Sequence, residues 1–128
     1  MAPTLNSVPE KDTYKLYREG IELLEDGSYD AATAPLAEVA RRAPEKTSVR
    51  EALGRAYFRN RQFAEAATEF EAVVESHPVD DYAHFCLGRA LSLTGERERA
   101  RHHLALASNL RPDRRDYREY RDRLRQVS

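Results

Sequence analysis

Residues 53–78 read LGRAYFRNRQFAEAATEFEAVVESHP, and three positions within them recur elsewhere in the chain. Gly54 has counterparts at Gly20 and Gly88, Ala66 at Ala32 and Ala100, and Pro78 at Pro44 and Pro112, always 34 residues apart. Three residue types keeping one period through three copies indicate stacked structural units. Read outward from this stretch, each unit divides into two helices. First helices are expected over 13–25, 47–60 and 81–94, and second helices over 28–42, 62–76 and 96–110. The turns between them fall at Asp26-Gly27, near Asn60 and at Gly95. Glycine and asparagine accept the left-handed conformation that closes a helix. Pro44, Pro78 and Pro112 stop the second helices, because proline lacks an N–H and restrains the residue before it.

The second helices carry apolar stripes at spacings of three and four: Tyr29, Ala32, Leu36, Val39, then Phe63, Ala66, Phe70, Val73. Such spacing places each set on one helix face. The third copy keeps Ala100, Leu104 and Ala107 but has Arg97 in the aromatic slot. Glycine inside a helix costs roughly 1 kcal/mol against alanine. Close approach of the paired helices at Gly20, Gly54 and Gly88 is the expected compensation. Pro35 lies inside a second helix and predicts a bend there. Residues 115–128 predict a further helix, with Tyr117, Tyr120, Leu124 and Val127 on one stripe and charged residues elsewhere.

Composition narrows the function. The 128 residues suffice for one domain with a modest core. Charged residues make up 34% and hydrophobic residues 41%, a balance that folds. A net charge of −1 argues against a dedicated nucleic-acid binder. No apolar run approaches the ~18 residues of a membrane span, and residues 1–9 lack the pattern of a signal peptide. Cys86 is the sole cysteine, which fits a reducing cytoplasm. Eighteen of the 21 basic residues are arginine, the other three being Lys11, Lys15 and Lys46.

With Leu53-Gly54-x2-Tyr57, Ala66-x3-Phe70 and Pro78 in one unit, the chain resembles a tetratricopeptide repeat protein. Arg50 stands where the family pattern has tryptophan. The third unit reads His84, Leu87-Gly88, Leu91, Ala100, Leu104, Pro112; the first reads Leu16, Glu19-Gly20, Leu23, Ala32, Leu36, Pro44. Glu19 in the leucine slot suits a terminal unit with no neighbour on that side. The resemblance implies an all-α, right-handed solenoid of antiparallel helix pairs with about seven helices. It assigns 1–12 to a flexible N-terminal segment, 13–46, 47–80 and 81–114 to the three units, and 115–128 to a capping helix. It also implies a non-enzymatic module that binds a protein or peptide through its concave face.

The family's groove slots, carried over residue by residue, fall on Tyr14, Tyr17, Ile21, Leu24 and Glu25 in the first unit. They fall on Ser48, Glu51, Arg55, Phe58 and Arg59 in the second, and on Tyr82, Phe85, Arg89, Ser92 and Leu93 in the third. Aromatics and arginine are enriched at interface hot spots, so a partner with apolar and acidic anchors would suit this wall. The alternative is that some of these aromatics only fill gaps between neighbouring helices. Relatives that grip the acidic tail of heat-shock chaperones use a clamp of lysine and asparagine. Here the matching places hold Tyr17, Ile21, Ser48, Ala52, Tyr82 and Cys86, which disfavours that function.

Residues 1–40 carry three bases against eight acids, and residues 97–125 carry ten arginines against five acids. Solvated helix faces explain this, and head-to-tail self-association into a scaffold is the sharper alternative. A third reading is an accessory chaperone for a secreted protein. His77, His84, His102 and His103 form no zinc-binding spacing, and Cys86 has no His–Asp partner pattern. No cofactor, metal or catalytic constellation is expected.

Overall fold

The computed structural model describes residues 10–126, which form seven α-helices. They are α1 (Glu10–Glu25), α2 (Tyr29–Arg42), α3 (Thr47–Arg59), α4 (Phe63–Ser76), α5 (Asp81–Leu93), α6 (Arg97–Leu110) and α7 (Arg115–Gln126). Each helix packs on the one before and the one after it, and α1 also reaches α3. The result is an all-α solenoid. Glu10–Asp12, expected within a flexible segment over 1–12, begin α1; residues 1–9 lie outside the described residues, as does Val127. Pro35 does not divide α2, which runs continuously past it. The carbonyl that it leaves without a donor belongs to Ala31, an exposed residue that water can reach.

The turns close alike in each pair. Ser28 N–H reaches back to Leu23 O, Gln62 N–H to Tyr57 O and Glu96 N–H to Leu91 O, at 2.8, 2.8 and 2.9 Å. This is the Schellman closure, which requires one left-handed residue just before the bonded N–H. Gly27 and Gly95 supply it, with φ of 88° and 87°. In the middle turn the left-handed residue is Arg61 (φ 64°), not Asn60, whose φ is −88°. The 34-residue register decides this, because 61 lies one period from both glycines.

Close helix approach is visible at the three helical glycines. A Cβ on Gly20 would fall 2.5 Å from Leu36, on Gly54 2.8 Å from the Phe70 ring, and on Gly88 2.7 Å from Leu104. These three partners are themselves one period apart and almost fully buried. A side chain of α2, α4 or α6 thus fills the space that a missing methyl leaves.

The tryptophan slot does a different job here. Arg50 Nε donates to the Pro44 carbonyl at 2.8 Å, and His84 Nε2 to the Pro78 carbonyl at 2.7 Å. Arg118 Nη1 donates to the Pro112 carbonyl in the same register. Each donor ties its helix to the proline turn that precedes it. Arg50 also ion-pairs with Glu69 at 3.0 Å, and His84 contacts His103, the residue one period on from Glu69, at 3.0 Å.

α7 covers the last pair. Tyr117 is fully buried, stacks on Phe85 at 4.5 Å between centroids, and donates its hydroxyl to Asp81 at 2.7 Å. Tyr120 and Leu124 pack partly buried beside it.

Candidate functional site

The first helices of the pairs form a wall, and a cleft of about 550 Å3 opens in it. Arg55, Phe58 and Arg59 reach it from α3, and Tyr82, Cys86 and Arg89 from α5. Spacings of three and four keep each set on one helix face. Leu24 and Glu25 arrive from the end of α1, Tyr29 from the start of α2, and Phe70 from α4.

Aromatic rings hold two of the arginines. Arg59 donates to the Tyr29 hydroxyl at 2.7 Å, with its guanidinium 4.9 Å from that ring's centroid. The Arg89 guanidinium lies 4.8 Å from Phe58 and 4.6 Å from Tyr120, with Phe85 at 5.7 Å. Arg55 is exposed and, among the described residues, lies over no ring, with the Tyr82 hydroxyl near it. Neither Arg55 nor Arg89 forms a hydrogen bond or ion pair with a carboxylate among the described residues. The C-terminal arginines differ. Arg111 pairs with Asp113, Arg114 with Asp116, Arg115 with Glu119 and Arg121 with Asp122, at 2.7–2.9 Å. Four of the C-terminal arginines thus have carboxylates beside them, whereas Arg55 and Arg89 in the cleft have none among the described residues.

Burial raises three weak acids in and beside the cleft. Burial pushes the Glu51 carboxyl up to about 7, aided by its hydrogen bond to Asp80 and opposed by Arg55. Asp80 caps α5 by accepting from Ala83 N–H at 3.0 Å. Burial likewise raises the Tyr82 hydroxyl and the Cys86 thiol to about 12 each. A thiol in that state is not a nucleophile at neutral pH. With Arg55, Arg59 and Arg89 against Glu25 on its lining, the cleft is cationic on balance and partly apolar.

Of the groove slots expected from sequence, the cleft gathers Leu24, Arg55, Phe58, Arg59, Tyr82 and Arg89, with Glu51 at its edge. Tyr14 and Tyr17 line a separate hollow of about 440 Å3 between α1 and α3, with Thr13, Lys46 and Ser48. Phe85 is only 6% exposed and stacks on Tyr117, so it backs the wall from inside. Tyr29, Phe70 and Tyr120 reach the cleft or its arginines without having been expected there. Tyr29 and Phe70 belong to stripes that read equally well as core, whereas the 34-residue register does place Tyr120, one period beyond Cys86.

Among the described residues no helix is long and apolar enough to cross a membrane. A profile of the tetratricopeptide repeat matches residues 17–61 and 51–108. No curated protein matches the chain in sequence. Among solved structures, the first tetratricopeptide domain of Spaghetti (RPAP3) bound to the HSP90 peptide SRMEEVD is 20% identical, with a TM-score of 0.84 over 94% of this chain and 95% of that one. MamA 41-end from Desulfovibrio magneticus RS-1 is 25% identical, with a TM-score of 0.85 over 90% of this chain; the chain spans 65% of that protein's length. A protein in the CopN–Scc3 complex is 19% identical, with a TM-score of 0.74 over 99% of this chain and 81% of its own.

Proposed function

We propose that this chain, which belongs to the tetratricopeptide repeat family, is a non-enzymatic interaction module whose α1–α3–α5 cleft holds an extended or helical peptide segment of a partner protein. One observation carries the reading. Arg55 and Arg89 line a cleft with Phe58 and Tyr82 and have no carboxylate partner among the described residues. Uncompensated guanidinium groups beside apolar surface favour a segment with an acidic group next to an apolar side chain. The partner's acid completes the pairing that the chain leaves open.

The solved relative bound to SRMEEVD supports the use of this fold for holding an acidic peptide. The chaperone-tail clamp itself has no counterpart here, because its places are Tyr17, Ile21, Ser48, Ala52, Tyr82 and Cys86. An arginine pair one repeat apart replaces it in this reading.

The test is a pull-down from the native cell, followed by trimming the bound protein to its minimal binding segment. That segment should carry a carboxylate beside an aromatic or aliphatic residue. The Arg55→Ala/Arg89→Ala protein should bind it at least about tenfold more weakly, given the ~2–5 kcal/mol that loss of one member of a desolvated charge pair typically costs. Helix content should be unchanged. Equal affinity in the double variant would place recognition elsewhere on the molecule.

A further inference from the structure

Arg55 and Arg89 occupy the same slot one repeat apart, yet their surroundings differ. Arg55 is exposed and lies over no ring among the described residues, although the Tyr82 hydroxyl is near it. Arg89 is half-buried, with Phe58 of α3 at 4.8 Å and Tyr120 of α7 at 4.6 Å. The far ring is itself braced: Arg123 lies 4.7 Å from Tyr120, and Phe85 meets it edge-on at 5.4 Å. Behind this row, α7 is pinned by the Tyr117–Asp81 hydrogen bond and by Arg121, which donates to Ser108 at 2.9 Å.

A guanidinium is flat. Its faces stack on rings and its edge carries all five donors. Rings against its faces leave the edge as the part able to bond, and a carboxylate meets that edge with two parallel hydrogen bonds. We propose that α7 is a working wall of the cleft as well as a cap. Tyr120, with Phe58, orients the Arg89 guanidinium so that its edge receives a carboxylate of the bound segment. Arg89 is then the anchor, and Arg55 is an adaptable second contact. Tyr120 is a positioning residue, acting through Arg89. The inference rests on the peptide-holding reading of the cleft and adds to it which arginine leads and which helix makes it do so.

Pre-orienting a long side chain saves the ordering that binding otherwise demands, so loss of the ring should weaken carboxylate binding roughly five- to tenfold. The test compares Tyr120→Phe, which keeps the ring, with Tyr120→Leu, which keeps apolar bulk and removes the ring face. The probes are an acetylated, amidated tetrapeptide of phenylalanine, glutamate, aspartate and leucine, and its counterpart with glutamine and asparagine. Nuclear magnetic resonance follows the backbone amides lining the cleft and the Arg89 side-chain N–H groups.

The expected result has three parts. The acidic probe shifts cleft amides and the Arg89 side chain in the parent and in Tyr120→Phe. Tyr120→Leu binds the acidic probe roughly five- to tenfold more weakly. It binds the neutral probe as the parent does, with an unchanged melting temperature. If Tyr120→Leu melts early, the parent's Arg89 side-chain shifts decide: movement with the acidic probe and none with the neutral one upholds the anchor, and identical shifts with both overturn it. Cleft amides shifted by both probes, with Arg89 unmoved or with Tyr120→Leu equal to the parent, overturn the inference while leaving the peptide-holding cleft standing. Cleft amides shifted by neither probe remove the cleft reading and this inference together.

Discussion

The second and third repeats place different chemistry in the same slots. Arg50 and His84 both donate to the carbonyl of the proline six residues back. Their second partners are Glu69 and His103, again in matching positions. In the second repeat the pair is a cation with a carboxylate. In the third it is two imidazoles: His84 donates from Nε2 to the Pro78 carbonyl and meets His103 with the two Nδ1 atoms 3.0 Å apart. Burial, with His84, His102 and Arg99 nearby, pushes His103 down to about 4 and keeps it neutral. The stack demands a donor at one slot and a filled space at another, and leaves the charge free to vary. The cleft shows what varies: Arg89 is flanked by Phe58 and Tyr120, where one period earlier Arg55 has Leu24 and Cys86 in those slots.

The sharpest break of this comparison is Arg50→Ala. It strands Glu69, already raised by burial despite the arginine beside it, and leaves the Pro44 carbonyl without its donor. Breaking a fully buried pair costs about 3–5 kcal/mol. The side chains here remain 25% and 15% exposed, so a loss of about 2–4 kcal/mol is expected in urea unfolding. A loss of a few tenths would mean that the second repeat does not depend on this tie.

The glycine seam should cost less and differ by repeat. Alanine gains roughly 1 kcal/mol of helix propensity over glycine, while overpacking typically costs ~1–3 kcal/mol. In Gly54→Ala the new methyl meets the Phe70 ring at 2.8 Å; in Gly88→Ala it meets Leu104 at 2.7 Å and the Ala100 carbonyl at 3.2 Å. A backbone oxygen yields less than a side chain, so both variants should be destabilised and Gly88→Ala more so, as read from thermal melts. Equal or raised melting temperatures would show that the seam is slack.

Most of the fold was legible because it is periodic. Gly54, Ala66 and Pro78 with their counterparts predict helices to within three residues at every end, and the turn at Gly95 falls in place. Arg61 was misplaced because residue preference favoured Asn60, while register, the stronger constraint, falls one residue later. The cleft was only partly legible. Arg55, Phe58, Arg59 and Arg89 follow from slot and spacing. Tyr120 lies one period beyond Cys86, but the highly charged stretch 115–128 reads as a cap rather than as a wall of the groove. Phe85, in a groove slot, is covered by Tyr117 of that same helix.

Acid separates the two repeats in sign. The carboxyl of Glu51, in the second repeat, is raised from 4.5 to about 7, so the folded chain holds that proton more tightly, and its contribution to stability is lost as pH rises from 4.5 through 7. His103, in the third, is lowered from 6.5 to about 4, so its contribution is lost as pH falls from 6.5 through 4. Between pH 4.5 and 6.5 the two oppose each other, each by at most about 1.4 kcal/mol per pH unit. Glu51→Gln should therefore lose stability on acidification across this window, and His103→Gln should gain it. Urea midpoints at the two pH values that move alike in both variants would sink the assignment.

The smallest expected effect lies at the turn where the second repeat departs from its neighbours. Arg61 holds a φ of 64° in the slot of Gly27 and Gly95. A non-glycine residue there bears roughly 1–2 kcal/mol of left-handed strain. Glycine relieves it but gives back about 0.4–1 kcal/mol through a freer unfolded chain. Arg61 also lies 5.5 Å over Phe63, whose ring meets Phe58 edge-on at 5.1 Å. That exposed cation–π contact is worth about 0.5 kcal/mol. Arg61→Gly should then stabilise by no more than about 1 kcal/mol, whereas Arg61→Ala, which keeps the strain and loses the contact, should be slightly destabilising. If the two variants unfold at the same urea concentration, the strain is absorbed elsewhere in the turn. If glycine is the worse of the two, the cation over Phe63 outweighs the backbone, and the second repeat keeps its arginine for the sake of the ring row that ends at Arg89.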